Sequence, residues 1–130
     1  MQTAVSYSVL ILKQIVELFK AIESDDVDAA RNFLHDNPDF DVNALWDTEY
    51  NGDKFTWTPL HCAAYYGRIQ ILGLLMNRGA KVEVQDTWYG ATALAWATYG
   101  GMRQYRQLPR LMQLVNSLRF FFLYYYYTWK

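Results

Sequence analysis

The side chains able to do chemistry are few in this chain and stand apart from one another. Its 130 residues hold two histidines, His35 and His61, and one cysteine, Cys62. Zinc needs three or four convergent ligands, and two histidines with one thiol at unrelated positions make a poor set. Neither histidine pairs with a nucleophile and an orienting group at a meaningful spacing. The acids Glu23, Asp25, Asp26 and Asp28 crowd one segment. A calcium loop would alternate its ligands and place a glycine before a distal glutamate, which this segment does not. Those acids fit the start of a helix, where negative charge complements the macrodipole and Ser24 or Asp25 can cap. Gly100-Gly101 lacks the spaced glycines and lysine of a phosphate loop. The sequence therefore predicts no catalytic residue, no metal site and no cofactor: not an enzyme.

What would position side chains here is a repeat. Thr58-Pro59-Leu60-His61-Cys62-Ala63-Ala64-Tyr65-Tyr66-Gly67 leads into Ile69, Ile71, Leu72, Leu74, Leu75 and Met76, then Asn77-Arg78-Gly79-Ala80-Lys81-Val82. Pro59 suits the first turn of a helix and Thr58 its N-cap. Gly67 and Gly79 can each end a helix in the left-handed conformation. Ile71, Leu72, Leu74 and Leu75 make an apolar stripe at helical spacing, and Ala63 and Ala64 let helices approach closely. The pattern restarts 34 residues later at Thr92-Ala93-Leu94-Ala95-Trp96-Ala97-Thr98-Tyr99-Gly100-Gly101. A weaker copy, Ala21 to Ala30, aligns with Ala63 to Leu72, followed by Phe33, Leu34 and Asp41-Val42-Asn43.

These three copies resemble the ankyrin-repeat family, whose pattern carries Thr-Pro-Leu-His-x-Ala and a period of about 33 residues. The resemblance implies an all-α fold. It would be a solenoid of about three helix-turn-helix repeats joined by hairpin-like loops, ending in an atypical C-terminal helix. The repeat domain is expected over 1–101, with repeats near 9–43, 53–86 and, in part, 87–101. The resemblance also implies that His61 bonds backbone between repeats, a structural task. After Gly101 the register fails: Tyr105, Arg106 and Pro109 would fall where Ile71, Leu72 and Leu75 stand. A proline inside a helix costs about 3 kcal/mol. A shifted helix over 108–122 is predicted instead, from Leu108, Leu111, Met112, Val115, Leu118 and Phe122.

Charge divides the chain at the same place. Residues 1–101 carry seven basic and thirteen acidic side chains, a net of −6, and residues 102–130 carry five basic and none acidic. Eight of the ten residues from Phe120 to Trp129 are aromatic. This 102–130 segment is a candidate closing helix, a free tail meeting a partner or membrane surface, or a sequence from outside a natural repeat frame. In that last case the chain would be a structural fragment of a longer array. No stretch reaches the ~20 apolar residues of a membrane-spanning helix, no secretory leader is evident, and the lone thiol fits a reducing compartment. A cytoplasmic monomer is expected, with a nuclear location left open.

The resemblance implies that a partner protein is bound through inter-repeat loops and the concave helix face. The first connection is long: Asn43 to Thr58 spans fifteen residues, against nine from Glu83 to Thr92. Asn51-Gly52 inside it signals a tight turn, so a finger or small hairpin is expected. Trp46, Tyr50, Phe55 and Trp57 on this finger are candidate contacts, since aromatics dominate binding energy. Packing back onto the repeats is the competing reading for each. Trp88 and Tyr89 in the second loop join them, with Tyr65, Tyr66, Trp96 and Tyr99 on the first helices. Asp47, Glu49, Asp53 and Asp86 would form an acidic rim, favouring a basic partner surface and repelling nucleic acid.

Overall fold

The computed structural model describes residues 2–105, with side chains at 9–10 and 12–101. The helix expected over 108–122 and the alternatives for the C-terminal segment lie outside the described residues. Five helices and one hairpin follow in chain order: α1 (Gln2–Ser24), α2 (Val27–Asp36), β1 (Trp46–Tyr50), β2 (Asp53–Trp57), α3 (Pro59–Tyr66), α4 (Ile69–Asn77) and α5 (Ala93–Tyr105). The all-α expectation is corrected in one respect, because the first connection is a paired two-stranded antiparallel sheet. Asn51 (φ 51°) and Gly52 (φ 86°) are both left-handed, the requirement of the two-residue turn that matches strand twist.

Among the described helices α1 packs on α2 and α3 on α4, and α5 follows as a fifth. α3 lies between α1 and α5, and α4 packs on α3 and α2. The local code of α3 is complete. Thr58 Oγ1 accepts the His61 N–H (3.3 Å), and His61 Nδ1 accepts the Thr58 N–H (3.0 Å), so two orphan donors of the helix start are satisfied reciprocally. Gly67 ends the helix at φ 69°. In the preceding pair Asp25 takes that role at φ 57°. The Asp26 N–H reaches Ala21 O (2.8 Å), as the Arg68 N–H reaches Ala63 O (2.9 Å). Asp26, rather than Ser24 or Asp25, caps α2 by accepting the Ala29 N–H at 3.0 Å.

Each pair is stitched to the one before it. The Arg68 guanidinium donates to Ile22 O (3.0 Å) and to Glu23 O at the end of α1. Arg78 donates to Leu34 O, Asn37 O (3.0 Å) and Pro38 O (2.9 Å) at the end of α2. Both place positive charge on helix C-termini, where unpaired carbonyls and the dipole favour it. Asn43 donates to Gly79 O (3.1 Å) and accepts the Lys81 N–H (2.8 Å). The apolar core runs through these seams: Leu18 and Ile22 of α1, Ala30 and Leu34 of α2, Leu60 and Ala63 of α3, Ile71 and Leu75 of α4.

The third motif behaves differently from the second. α5 does not stop at Gly101 as α3 stops at Gly67, but runs on to Tyr105. A Cβ on Gly100 would stand 1.9 Å from Tyr65 O. That glycine therefore lets α5 press against the end of α3, an approach no larger residue permits.

Candidate partner-binding surface

The hairpin pairs Trp46 with Trp57, Thr48 with Phe55 and Tyr50 with Asp53. Because side chains alternate across a strand, Trp46, Thr48 and Tyr50 turn to one face together with Phe55 and Trp57. Asp47, Glu49, Lys54 and Thr56 take the other, outer face, where the first three are exposed. The inner face closes on the helices through aromatic rings. Phe55 stacks on Trp88 (4.9 Å between centroids) and Trp96 (5.8 Å), and meets Trp57 edge to face (5.6 Å). Trp57 meets Trp96 at 5.2 Å, and Tyr65 meets Trp96 at 5.6 Å. The hydroxyls of Tyr50 and Tyr99 are 3.0 Å apart.

The second connection is built around Asp86. This residue, expected at an acidic rim, is buried (5 % exposed), which corrects that placement. Its Oδ1 accepts the N–H groups of Trp88 (3.1 Å), Tyr89 (3.1 Å) and Ala91 (3.0 Å), and its Oδ2 accepts the Trp96 indole N–H at 2.7 Å. A buried carboxylate is tolerable when each oxygen is so paired. The loop is also tied to the hairpin, since the Thr87 N–H donates to Thr56 O (3.1 Å) and the Thr56 N–H to Thr87 Oγ1 (2.7 Å).

The ten expected contact residues thus divide by exposure. Phe55, Trp57, Tyr65 and Trp96 are buried, so their area is already used inside the molecule. Trp46, Tyr50, Tyr66 and Trp88 are half-buried. Tyr89 and Tyr99 are exposed, at 77 % and 41 %. The sequence reading missed three positioning residues, Arg68, Arg78 and Asp86. The arginines had one available signal, their place beside the helix-ending glycines Gly67 and Gly79, where cations suit the carbonyls of a neighbouring helix end.

The chemistry-bearing residues are held as structural groups. His61 Nε2 lies 2.9 Å from Val84 O, so with Nδ1 accepting from Thr58 the ring is neutral and carries its proton on Nε2. Burial lowers its pKa, against the opposing pull of the Val84 carbonyl, Asp86 and Ala91. This is the inter-repeat bond that the resemblance implied. Cys62 is fully buried, and burial raises its thiol pKa far above the reactive range. Among the described residues no cluster of three or more His, Cys, Asp or Glu could hold a metal, and no helix is long and apolar enough to cross a membrane.

Comparison with known proteins places this arrangement. The family described as ankyrin repeats (3 copies) matches residues 18–108. The chain is 30% identical over 92 residues to the ankyrin repeat and SAM domain-containing protein 6 of Mus musculus, and equally to that of Rattus norvegicus. The match covers 71% of this chain and 10% of each relative, so the chain spans about a tenth of their length. With the motif, the capped helix pairs and the inter-repeat histidine bond in agreement with that match, the chain belongs to the ankyrin-repeat family.

Proposed function

We propose that the chain is a protein-binding adaptor, a three-repeat solenoid acting in the cytoplasm without catalysis. Ankyrin repeats generally mediate protein–protein interaction, and fold alone does not choose the partner. In this reading the partner meets Tyr89 and Tyr99 together with the half-buried Trp46, Tyr50, Tyr66 and Trp88. The buried Phe55, Trp57, Tyr65 and Trp96 set where those rings stand. Asp47, Glu49 and Asp53, all exposed, favour a basic partner surface.

One observation carries the proposal. Tyr89 is 77 % exposed, yet its backbone is fixed by Asp86 and its ring lies 4.6 Å from that of Trp88. An aromatic whose backbone is already fixed loses less freedom when a partner covers it. The test is site-specific photocrosslinking in cells, with the photoreactive residue at position 89 or, for comparison, at Ile69 on α4, which is equally exposed (80 %). Partners captured at 89 and not at 69, whose affinity for the purified chain falls at least about tenfold on Tyr89→Ala, support the reading. Equal capture at both positions, or none at 89, overturns it.

A further inference from the structure

β1 has a free edge. Thr56 of β2 gives both its N–H and its C=O to Thr87. Its partner across the hairpin, Asp47, is therefore in a non-hydrogen-bonded pair, and the alternation of an antiparallel ladder then turns the N–H and C=O of Asp47 and Glu49 away from β2. No described residue meets those four groups. Alongside this edge runs a mainly apolar groove, walled by Ile15, Val16 and Phe19 of α1 and by Trp46, Thr48 and Trp57 of the hairpin, with Lys20, Glu23 and Asp47 also in its lining. Val16 is half exposed. Trp46 Nε1 is the buried side-chain nitrogen without an acceptor among the described residues.

The charges decide what can add to this edge. A second copy pairing β1 to β1 about Thr48 would set Asp47 against the second copy's Glu49, and Glu49 against its Asp47. Like charges directly opposite are destabilising, and acids on an edge are a recognised guard against self-pairing. The same two carboxylates favour a strand that brings cations opposite them. Between those cations, the side chain facing Thr48 would turn into the groove and must be apolar.

Resting on the adaptor reading, we infer that β1 takes an extended segment of another protein as an added antiparallel strand, with the pattern basic–apolar–basic–apolar. The basic residues stand opposite Glu49 and Asp47, and the apolar ones enter the groove between α1 and the hairpin. Main-chain bonds supply affinity and the alternating side chains supply selectivity, as in other strand-addition modes.

The probe is the acetylated, amidated peptide Thr-Lys-Val-Arg-Val-Thr, titrated into the full 15N-labelled chain. The expected result is saturable binding that shifts the Asp47 and Glu49 amides and slows their hydrogen exchange at least about tenfold. The Trp46 indole N–H resonance shifts with them. A peptide with glutamates for the two basic residues, and one methylated on the amide nitrogens of those residues, should each bind at least about tenfold more weakly. Glu49→Pro, which removes an outward N–H and leaves the β1–β2 ladder intact, should abolish binding, while Glu49→Gln weakens it only severalfold. Undiminished binding of the methylated peptide to the wild-type chain overturns the inference even if the proline variant fails to fold. So does the absence of saturable binding at millimolar peptide. Amides at 47 and 49 already slow in the free chain would also overturn it, showing the edge filled by residues 106–130, or by a second copy if the protection depends on concentration. If a partner captured through position 89 binds the Glu49→Pro chain unchanged, strand addition fails and the adaptor reading stands.

Discussion

The second and third repeats begin at equivalent threonines, Thr58 and Thr92, and their first helices are specified by different means. In the second, Thr58 and His61 cap α3 and Gly67 ends it, all within ten residues of sequence. In the third, Ala93 and Ala95 stand where Pro59 and His61 would, and α5 passes through the glycines. Its position is set from outside: by Asp86 bonding the Trp96 indole, by Thr87 bonding Thr56, and by Gly100 lying against the backbone of Tyr65. Both repeats are tied to the one before, but α3 also carries its own start and stop signals, whereas α5 is placed by its neighbours. The difference predicts that single changes damage the third repeat more than the second.

The largest effect is expected at Asp86. Asp86→Ala removes the acceptor of three part-buried backbone N–H groups and leaves one buried indole N–H without its partner. An unsatisfied buried donor costs about 1–3 kcal/mol and the part-buried amides, which water can reach, cost less, so a loss of about 3 kcal/mol is expected in urea unfolding. The Trp96 indole resonance should move upfield as its bond is lost. A loss below about 1 kcal/mol would mean the loop finds other acceptors and the third repeat is not organised by this carboxylate.

Next comes Gly100→Ala. In an ordinary helix that change stabilises by about 0.5–1 kcal/mol. Here the added carbon meets a carbonyl oxygen at 1.9 Å, and α5 must move off α3. Overpacking of this kind costs about 1–3 kcal/mol, so a net loss near 2 kcal/mol is expected by thermal or urea unfolding. Stabilisation instead would show that α5 does not lie so close to α3.

The same contrast explains what could be read from the sequence. The motif Thr58-Pro59-Leu60-His61, the αL glycine at 67 and the Asn51-Gly52 turn are instructions between near neighbours, each with its own backbone demand. They gave the family, the helix pair and the hairpin. Asp86 was not legible, because an acid in a loop is read as solvated unless its donors are known, and one of them lies ten residues away on α5. Gly100 was not legible as a contact, since its meaning is the position of Tyr65 O. The aromatics were legible only as a group. Whether Phe55 or Tyr89 is core or surface depends on how the hairpin lies on α3 and α5, which no spacing encodes.

In the second repeat the expected losses are smaller. His61→Gln gives up the bonds to Thr58 and Val84, for about 1–2 kcal/mol at neutral pH. The folded chain holds the imidazole pKa below its ordinary 6.5 by burial. The unfolded chain therefore binds the proton first as pH falls. His61's contribution is complete above pH 6.5 and declines as pH drops below it towards the folded value. Urea titrations at pH 7.5 and 5.5 should show wild type losing stability across this window and the Gln variant losing less. Equal losses would place the pH dependence elsewhere.

The smallest effect, and one of opposite sign, is expected at Gly73 in α4. Like Gly100 it sits inside a helix, but a Cβ there meets nothing within 4 Å, and the position is exposed. Gly73→Ala should therefore recover only the backbone entropy that glycine loses on folding, stabilising the chain by about 0.5–1 kcal/mol. Measured beside Gly100→Ala, it makes the pair a sign test: one residue type, two helices, opposite outcomes. Destabilisation at both positions would place α4 under a constraint of the kind argued for α5, and the contrast between the two repeats would fail.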